Sequence, residues 1–445
     1  MKKKTFIKVV AGFVLAMTLC LGTAMPAFAS SGPVVSGTEA DPAEIAIAKV
    51  LSMAEGTTPP NETFKFSVSP KSLDGDPSDL AKGKMPPIPT QEIAYNSMDP
   101  VPTADNGMVT FPKEEGTDMF NGLAWPHAGV YVYTIREIVP NPQTSGITYS
   151  QAAYDIHVYV ANGTNGLYVA AVGAYLMVND GGTAVPGTPK VPGEEGGDPL
   201  ITGDYSGIAF TNKYLKSGGG VDPKEPNDHV LDINKTVAGN ELGDDYGDRS
   251  KYFSFVLTVQ KPASLENEQE YKAYVVEPDP SNVGKFKVVT TTDNYATLQT
   301  DPTYGPYIKV TTSPSATMTI NLKHNQHLVF VGDMHYGSSY KAVEAAVENY
   351  TAKVVVTENG GTPITLSNGA PNTARSTLAN DSADPLRIVG QSGKNIAAFT
   401  NTYKEVTPMG IAIDDMPYII LIGVALIALA AYVVVRTRRN SRDEE

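Results

Sequence analysis

Along most of the chain apolar and polar residues alternate with a period of two, and Gly, Pro, Asn and Asp separate the runs. In Ile45-Ala-Ile-Ala-Lys49-Val-Leu51 the alternation puts Ile45, Ile47, Lys49 and Leu51 on one face of a strand. Leu231-Asp-Ile-Asn-Lys235-Thr-Val237 does the same with Leu231, Ile233, Lys235 and Val237, leaving Asp232, Asn234 and Thr236 opposite. No long stretch of the body carries a 3.6-residue period, so the pattern predicts an all-β chain of sandwiches or barrels. The roughly 375 residues from 30 to 404 exceed one such unit, which predicts two domains. A Gly/Pro/charged stretch, 216–229, reads as the linker between a first domain at 30–215 and a second at 230–404. A further Gly/Pro-rich stretch, Gly181 to Asp204, reads as a mobile loop inside the first domain.

Two apolar runs lie outside this body. Lys2, Lys3, Lys4 and Lys8, the run Val9 to Leu21 and the small-x-small triplet Ala27-Phe28-Ala29 form a secretory signal peptide over 1–29. Pro417 to Val435 carries no charge and is long enough for a transmembrane helix. Arg436, Arg438, Arg439 and Arg442 follow in a basic tail, 436–445, expected to stay in the cytoplasm. The body is therefore expected outside the cell, anchored at its surface. The single cysteine, Cys20, falls in the signal peptide, so the secreted chain has no disulfide to form. The net charge is −14, which argues against a nucleic-acid partner.

The two halves share an order of residues. Each opens on a lysine strand, has an interior Tyr-x-x-x-Glu and closes on Phe-Thr-Asn-x-Tyr. The first has Lys49, Tyr133 to Glu137, and Phe210-Thr-Asn212-Lys-Tyr214; the second has Lys235, Tyr340 to Glu344, and Phe399-Thr-Asn401-Thr-Tyr403. Strand parity turns Lys49, Glu137 and Asn212 inward in one half, and Lys235, Glu344 and Asn401 in the other. Glu344 has the weakest row, Tyr340, Ala342, Glu344 and Ala346, because Val343 faces the other way. Burying such groups unpaired costs several kcal/mol. An ion pair relieves part of this; an amide bond between lysine and asparagine removes the charge altogether. Burial drives both lysine and glutamate toward neutrality, and a neutral lysine is a nucleophile. A protonated glutamate can hydrogen-bond the asparagine carbonyl, polarise it and pass protons to the departing ammonia. Glu137 and Glu344 are thus expected to promote Lys49–Asn212 and Lys235–Asn401 isopeptide bonds.

With these elements in place the chain resembles the streptococcal-type backbone, or major, pilins. The resemblance is carried by the lysine strands, Gly129-Val-Tyr-Val-Tyr-Thr-Ile-Arg-Glu137, Gly146-Ile-Thr-Tyr-Ser-Gln-Ala-Ala-Tyr154, Lys235-Thr-Val-Ala-Gly-Asn240, Gly247-Asp-Arg-Ser-Lys-Tyr-Phe253 and the Phe-Thr-Asn endings. It implies two tandem immunoglobulin-like (CnaB-type) β-sandwiches, isopeptide-locked and joined into fibres on a Gram-positive cell wall by a sortase. The partners it implies are other pilin subunits and a sortase. It also implies a sorting signal within 405–416: Thr407, Pro408, Met409 and Gly410, then Pro417-Tyr418 and the helix. Met409 stands where the family has threonine, which implies a sortase of altered specificity or retention by the helix. In the family a lysine shortly before the first-domain asparagine receives the next subunit. Tyr205 stands seven residues before Asn212, and Lys190 is the candidate polymerisation lysine.

Other chemistry is set aside. His324 and His327 fall on opposite faces of a strand and lack a carboxylate motif, and the Asp-rich stretches 74–79 and 244–248 lack the distal Glu of a calcium loop. Asn61-Glu-Thr63 fits a glycosylation sequon. No metal, no cofactor and no enzymatic activity beyond self-directed bond formation is expected. The alternative function is a monomeric anchored adhesin or stalk that binds a host or matrix ligand.

Overall fold

The alternating runs form strands because Val, Ile, Tyr, Phe and Thr fit a pleated, half-buried surface and the intervening Asn and Gly adopt positive φ at the turns, as at Asn106-Gly107 and Asn359-Gly360. The structure is a computed structural model and describes residues 34–114, 118–190, 208–239, 247–367, 370–381, 383–403 and 416–440. The signal peptide and the sorting-signal residues Thr407, Pro408, Met409 and Gly410 lie outside the described residues.

In the first half a seven-stranded sheet runs in the order Val35–Ser36, Leu167–Val178, Ala153–Asn162, Gly129–Ile138, Glu62–Leu73, Gln91–Tyr95, with Ala184–Lys190 also paired to Leu167–Val178. A four-stranded sheet faces it, in the order Met108–Glu114, Ile47–Ala54, Ile208–Tyr214, Ile147–Thr148. Phe66 of the larger sheet meets Phe210 of the smaller at 4.9 Å between ring centroids, and both are fully buried. The second half repeats the plan with nine- and five-stranded sheets. Its lysine strand Leu231–Ala238 and closing strand Ile396–Tyr403 are central in the larger sheet, while Phe253–Gln260 and Ser339–Glu344 belong to the smaller. Phe255 and Phe399 join the two layers at 5.0 Å. Each half closes around its own apolar cluster.

The stretch 216–229 is tied to the second half by backbone hydrogen bonds, Gly218 N–H to Met334 O and Tyr336 N–H to Lys216 O. The halves also touch beyond it: Gln391 donates its backbone N–H to Gly56 O, and its side-chain oxygen accepts the N–H of Thr58.

The loop expected from Gly181 onward is a strand over Ala184–Lys190. Its two prolines are tolerated because it is an edge strand, where a missing N–H breaks no ladder, and its register shifts between Ala184 and Thr188. Lys190 ends it, opposite Ala174. At the C-terminal end a helix covers Met416–Asn440. Among the described residues no helix is long and apolar enough to cross a membrane.

Phe66 is 0% exposed, so Phe66→Ala removes a ring shared by both layers of the first domain. The expected cost is about 3–5 kcal/mol. Calorimetry should show the first domain melting earlier and the second unchanged; an equal shift of both would contradict separate cores.

Candidate functional site

Each half pairs its first long strand with its last, and the pairing is parallel. Ile47–Ala54 lies beside Ile208–Tyr214 with Lys49 opposite Phe210 and Leu51 opposite Asn212. Leu231–Ala238 lies beside Ile396–Tyr403 with Lys235 opposite Phe399 and Val237 opposite Asn401. The offset is the same: the asparagine sits two residues past the lysine's partner. Two residues is one pleat repeat, so lysine and asparagine project from the same face as diagonal neighbours. The glutamates come from the facing sheet, Glu137 near the end of Gly129–Ile138 and Glu344 at the last position of Ser339–Glu344. Ala346, expected in the inward row with Glu344, is exposed because the strand has ended.

In the first half Lys49 Nζ is 3.0 Å from Glu137 Oε2, and Asn212 Nδ2 donates to Glu137 Oε1 at 2.8 Å. The Asn212 carbonyl oxygen accepts the backbone N–H of Ser150 at 2.7 Å. A backbone N–H can only donate, so this contact fixes which amide atom is oxygen. In the second half Lys235 Nζ and Asn401 Nδ2 converge on one oxygen, Glu344 Oε1, at 2.5 and 2.7 Å. Glu344 Oε2 and Asn401 Oδ1 are buried without a hydrogen-bond partner among the described residues. The expected glutamate-to-carbonyl hydrogen bond is therefore corrected in both halves: each carboxyl contacts the amide nitrogen, the atom that would leave as ammonia. The geometric reason is that the glutamate enters from the opposite sheet on the side of Nδ2, while the first-half carbonyl turns to the Ser150 N–H.

These groups are dry. Lys49 and Lys235 are both 0% exposed. Their ammonium ends lie over aromatic rings, Lys49 at 4.7 Å from the Phe64 centroid and Lys235 at 4.0 Å from that of Phe253. Desolvation pushes both lysines down to about 8, against the opposing attraction of Glu137 and Glu344. Desolvation likewise raises Glu137 and Glu344, again opposed by the lysine charge. An amine easily made neutral thus stands beside a carboxyl easily protonated and a carboxamide, the set needed for amide exchange with loss of ammonia. The rings of Phe64 and Phe253 and the backbone N–H of Ser150 carry no signal in the sequence pattern. Ser150 does fall inside the Gly146 to Tyr154 segment that carries the family resemblance.

The other candidates are not brought to these sites. Lys190 is placed only as the end of its edge strand. Among the described residues no group of three or more His, Cys, Asp or Glu could hold a metal. His327 instead pairs with Asp232 at 3.0 Å, and His324 accepts the Val237 N–H at 2.9 Å.

Lys49→Met leaves Glu137 buried without the charge that opposes its rise. A carboxyl raised in the folded state adds stability below its unfolded value of about 4.3 and loses it as pH climbs through the folded value. The first domain of Lys49→Met should therefore melt progressively earlier as pH rises from about 4 through the raised folded value of Glu137. A pH-independent melt in this variant would contradict the buried, unpaired carboxyl.

Residues 45–215 match the family FctA, described as a Spy0128-like isopeptide containing domain. Among solved structures the chain is similar to the major pilin from Streptococcus pyogenes, with 17–18% identity, TM-scores of 0.30 and 0.31, and coverage of 82% of this chain and 99% of the other. A second major pilin from the same organism, T-13, is similar at 17% identity and TM-score 0.30, covering 84% and 99%. A pilus-presented adhesin, Spy0125 (Cpa), is similar at 12% identity and TM-score 0.20, covering 81% and 99%. No curated protein matches the chain. The family match covers residues 45–215, and so the first domain, and agrees with the resemblance to streptococcal-type backbone pilins read from the sequence.

Proposed function

We propose that the chain is a structural subunit of a pilus-like fibre on the cell surface, built from two immunoglobulin-like domains that each lock themselves with a Lys–Asn isopeptide bond. The observation that carries this reading is the repeated register, which brings lysine, glutamate and asparagine together in the dry interior of both halves. The bonds are Lys49–Asn212, promoted by Glu137, and Lys235–Asn401, promoted by Glu344.

Neutral lysine attacks the asparagine Cγ, forming the C–N bond; the C–Nδ2 bond breaks and ammonia departs. The glutamate accepts a proton from the lysine nitrogen and returns one to the leaving nitrogen. Its contacts with Nζ and Nδ2 suit that transfer. No external enzyme is needed, because the fold holds the reactants at high effective concentration. The bonds close loops from 49 to 212 and from 235 to 401, and by the entropy model for cross-links each stabilises the domain by roughly 5 kcal/mol.

Delivery and assembly follow the sequence features outside the domains. The signal peptide exports the chain, and the sorting signal within 405–416 retains it at the cell surface. A sortase acting at Thr407-Pro408-Met409-Gly410 joins it to Lys190 of the next subunit.

Intact-mass analysis of the secreted chain should fall short of the sequence mass by two ammonia equivalents. Lys49→Ala and Lys235→Ala should each restore one, and Glu137→Ala should leave the first bond unformed in a folded domain. A full, unmodified mass would remove the self-locking mechanism. Surface extracts of the native host should give a ladder on denaturing gels that disappears with Lys190→Ala. One sharp band in the unmutated strain would favour the monomeric adhesin instead.

A further inference from the structure

The two triads differ at the carboxamide oxygen. The carbonyl oxygen of Asn212 receives a hydrogen bond, from the buried backbone N–H of Ser150 at 2.7 Å, and that of Asn401 has none among the described residues. When lysine attacks a carboxamide, the carbonyl oxygen takes on negative charge. A preorganised N–H aimed at that oxygen stabilises the developing charge more than it stabilises the ground state.

Ser150 is held in place by a single carboxylate. Ser150 Oγ donates to Asp180 Oδ1 at 2.5 Å, and the same oxygen accepts the backbone N–H of Thr211, the residue before Asn212, at 2.9 Å. The Asp180 carbonyl accepts the N–H of Gln151 at 3.0 Å, and Ser150 Oγ accepts the N–H of Ala152 at 3.0 Å. Asp180 follows the strand Leu167–Val178 and Ser150 precedes the strand Ala153–Asn162. The carboxylate thus links three segments: the turn carrying the donor, the end of the neighbouring strand, and the strand carrying the reacting amide.

We propose that the Ser150 backbone N–H is the oxyanion donor for Lys49–Asn212 bond formation and that Asp180 is the positioning residue that aims it. This rests on the cross-linking reaction inferred above and adds the group that receives the charge formed in it. The tetrahedral adduct of Lys49 Nζ and Asn212 Cγ carries its negative charge on Oδ1, against the Ser150 N–H. Collapse restores the carbonyl, breaks the C–Nδ2 bond and releases ammonia protonated through Glu137. The charge of Asp180 has the opposite effect on Lys49, since it favours the protonated amine. Positioning and charge therefore predict opposite results when Asp180 is replaced, so its role is open to a direct test.

The experiment follows the full chain after a short pulse of cell-free synthesis. The linked Lys49–Asn212 and Lys235–Asn401 peptides are quantified by mass spectrometry over time, and the second link serves as an internal clock. Ser150→Pro removes the N–H and should slow the first link on the order of 100-fold. Asp180→Ala keeps the N–H but frees the turn and should slow it several-fold. Asp180→Asn keeps the accepting oxygen without the charge and should restore most of the rate. The second link should keep its rate in all three. A first link at the parental rate in both Ser150→Pro and Asp180→Ala would overturn the proposal, as would acceleration by both Asp180 variants, which would mean that the residue acts through its charge alone. Absence of both links from the parent chain would instead refute the cross-linking reaction, and this proposal with it.

Discussion

The parallel pairing of the first and last long strands in each half is the constraint from which the rest follows. It places lysine beside the Phe of Phe-Thr-Asn and the asparagine one pleat repeat further on, with the same offset twice. A shift of one residue would turn the asparagine to the opposite face of its sheet. The aromatic residue of the triplet matters for the same reason: Phe210 and Phe399 are fully buried, and seating them in the core pins the register that presents the carboxamide.

The second constraint is dryness. A lysine and a glutamate enclosed between two sheets lose hydration that a single ion pair only partly replaces. The aromatic rings beneath the lysines soften this cost for the charged form. In the second half the cost is plainest, because one carboxylate oxygen and one carboxamide oxygen are buried with no partner among the described residues. Polar groups left in this condition are unusual in folded proteins and tend to mark chemistry. The two halves thus differ at the carboxamide oxygen: the first gives it an N–H donor and the second leaves it without one among the described residues.

Much of this was legible in the sequence. Period-two alternation is a strong signal when one face is buried, so the inward positions of Lys49, Lys235, Asn212 and Asn401 could be read by counting. Glu344 was harder, since its row breaks off where the strand ends. The pairing direction was not legible, because alternation says which face a residue occupies and nothing about its neighbour. Nor was Ser150, whose contribution is a backbone N–H that any residue but proline would supply. The edge strand Ala184–Lys190 was hidden by its prolines, which suggest a loop but are compatible with an unpaired sheet margin.

Parallel pairing also decides how each domain responds when stretched. Two parallel neighbours that begin and end a domain send the incoming chain in at one end and the outgoing chain out at the other. Pulling them apart slides one strand along the other, so the whole row of hydrogen bonds is sheared together. Antiparallel neighbours leaving from the same end would peel open one bond at a time. Resistance to extension therefore begins with the direction of two strands, before any covalent bond is made between them.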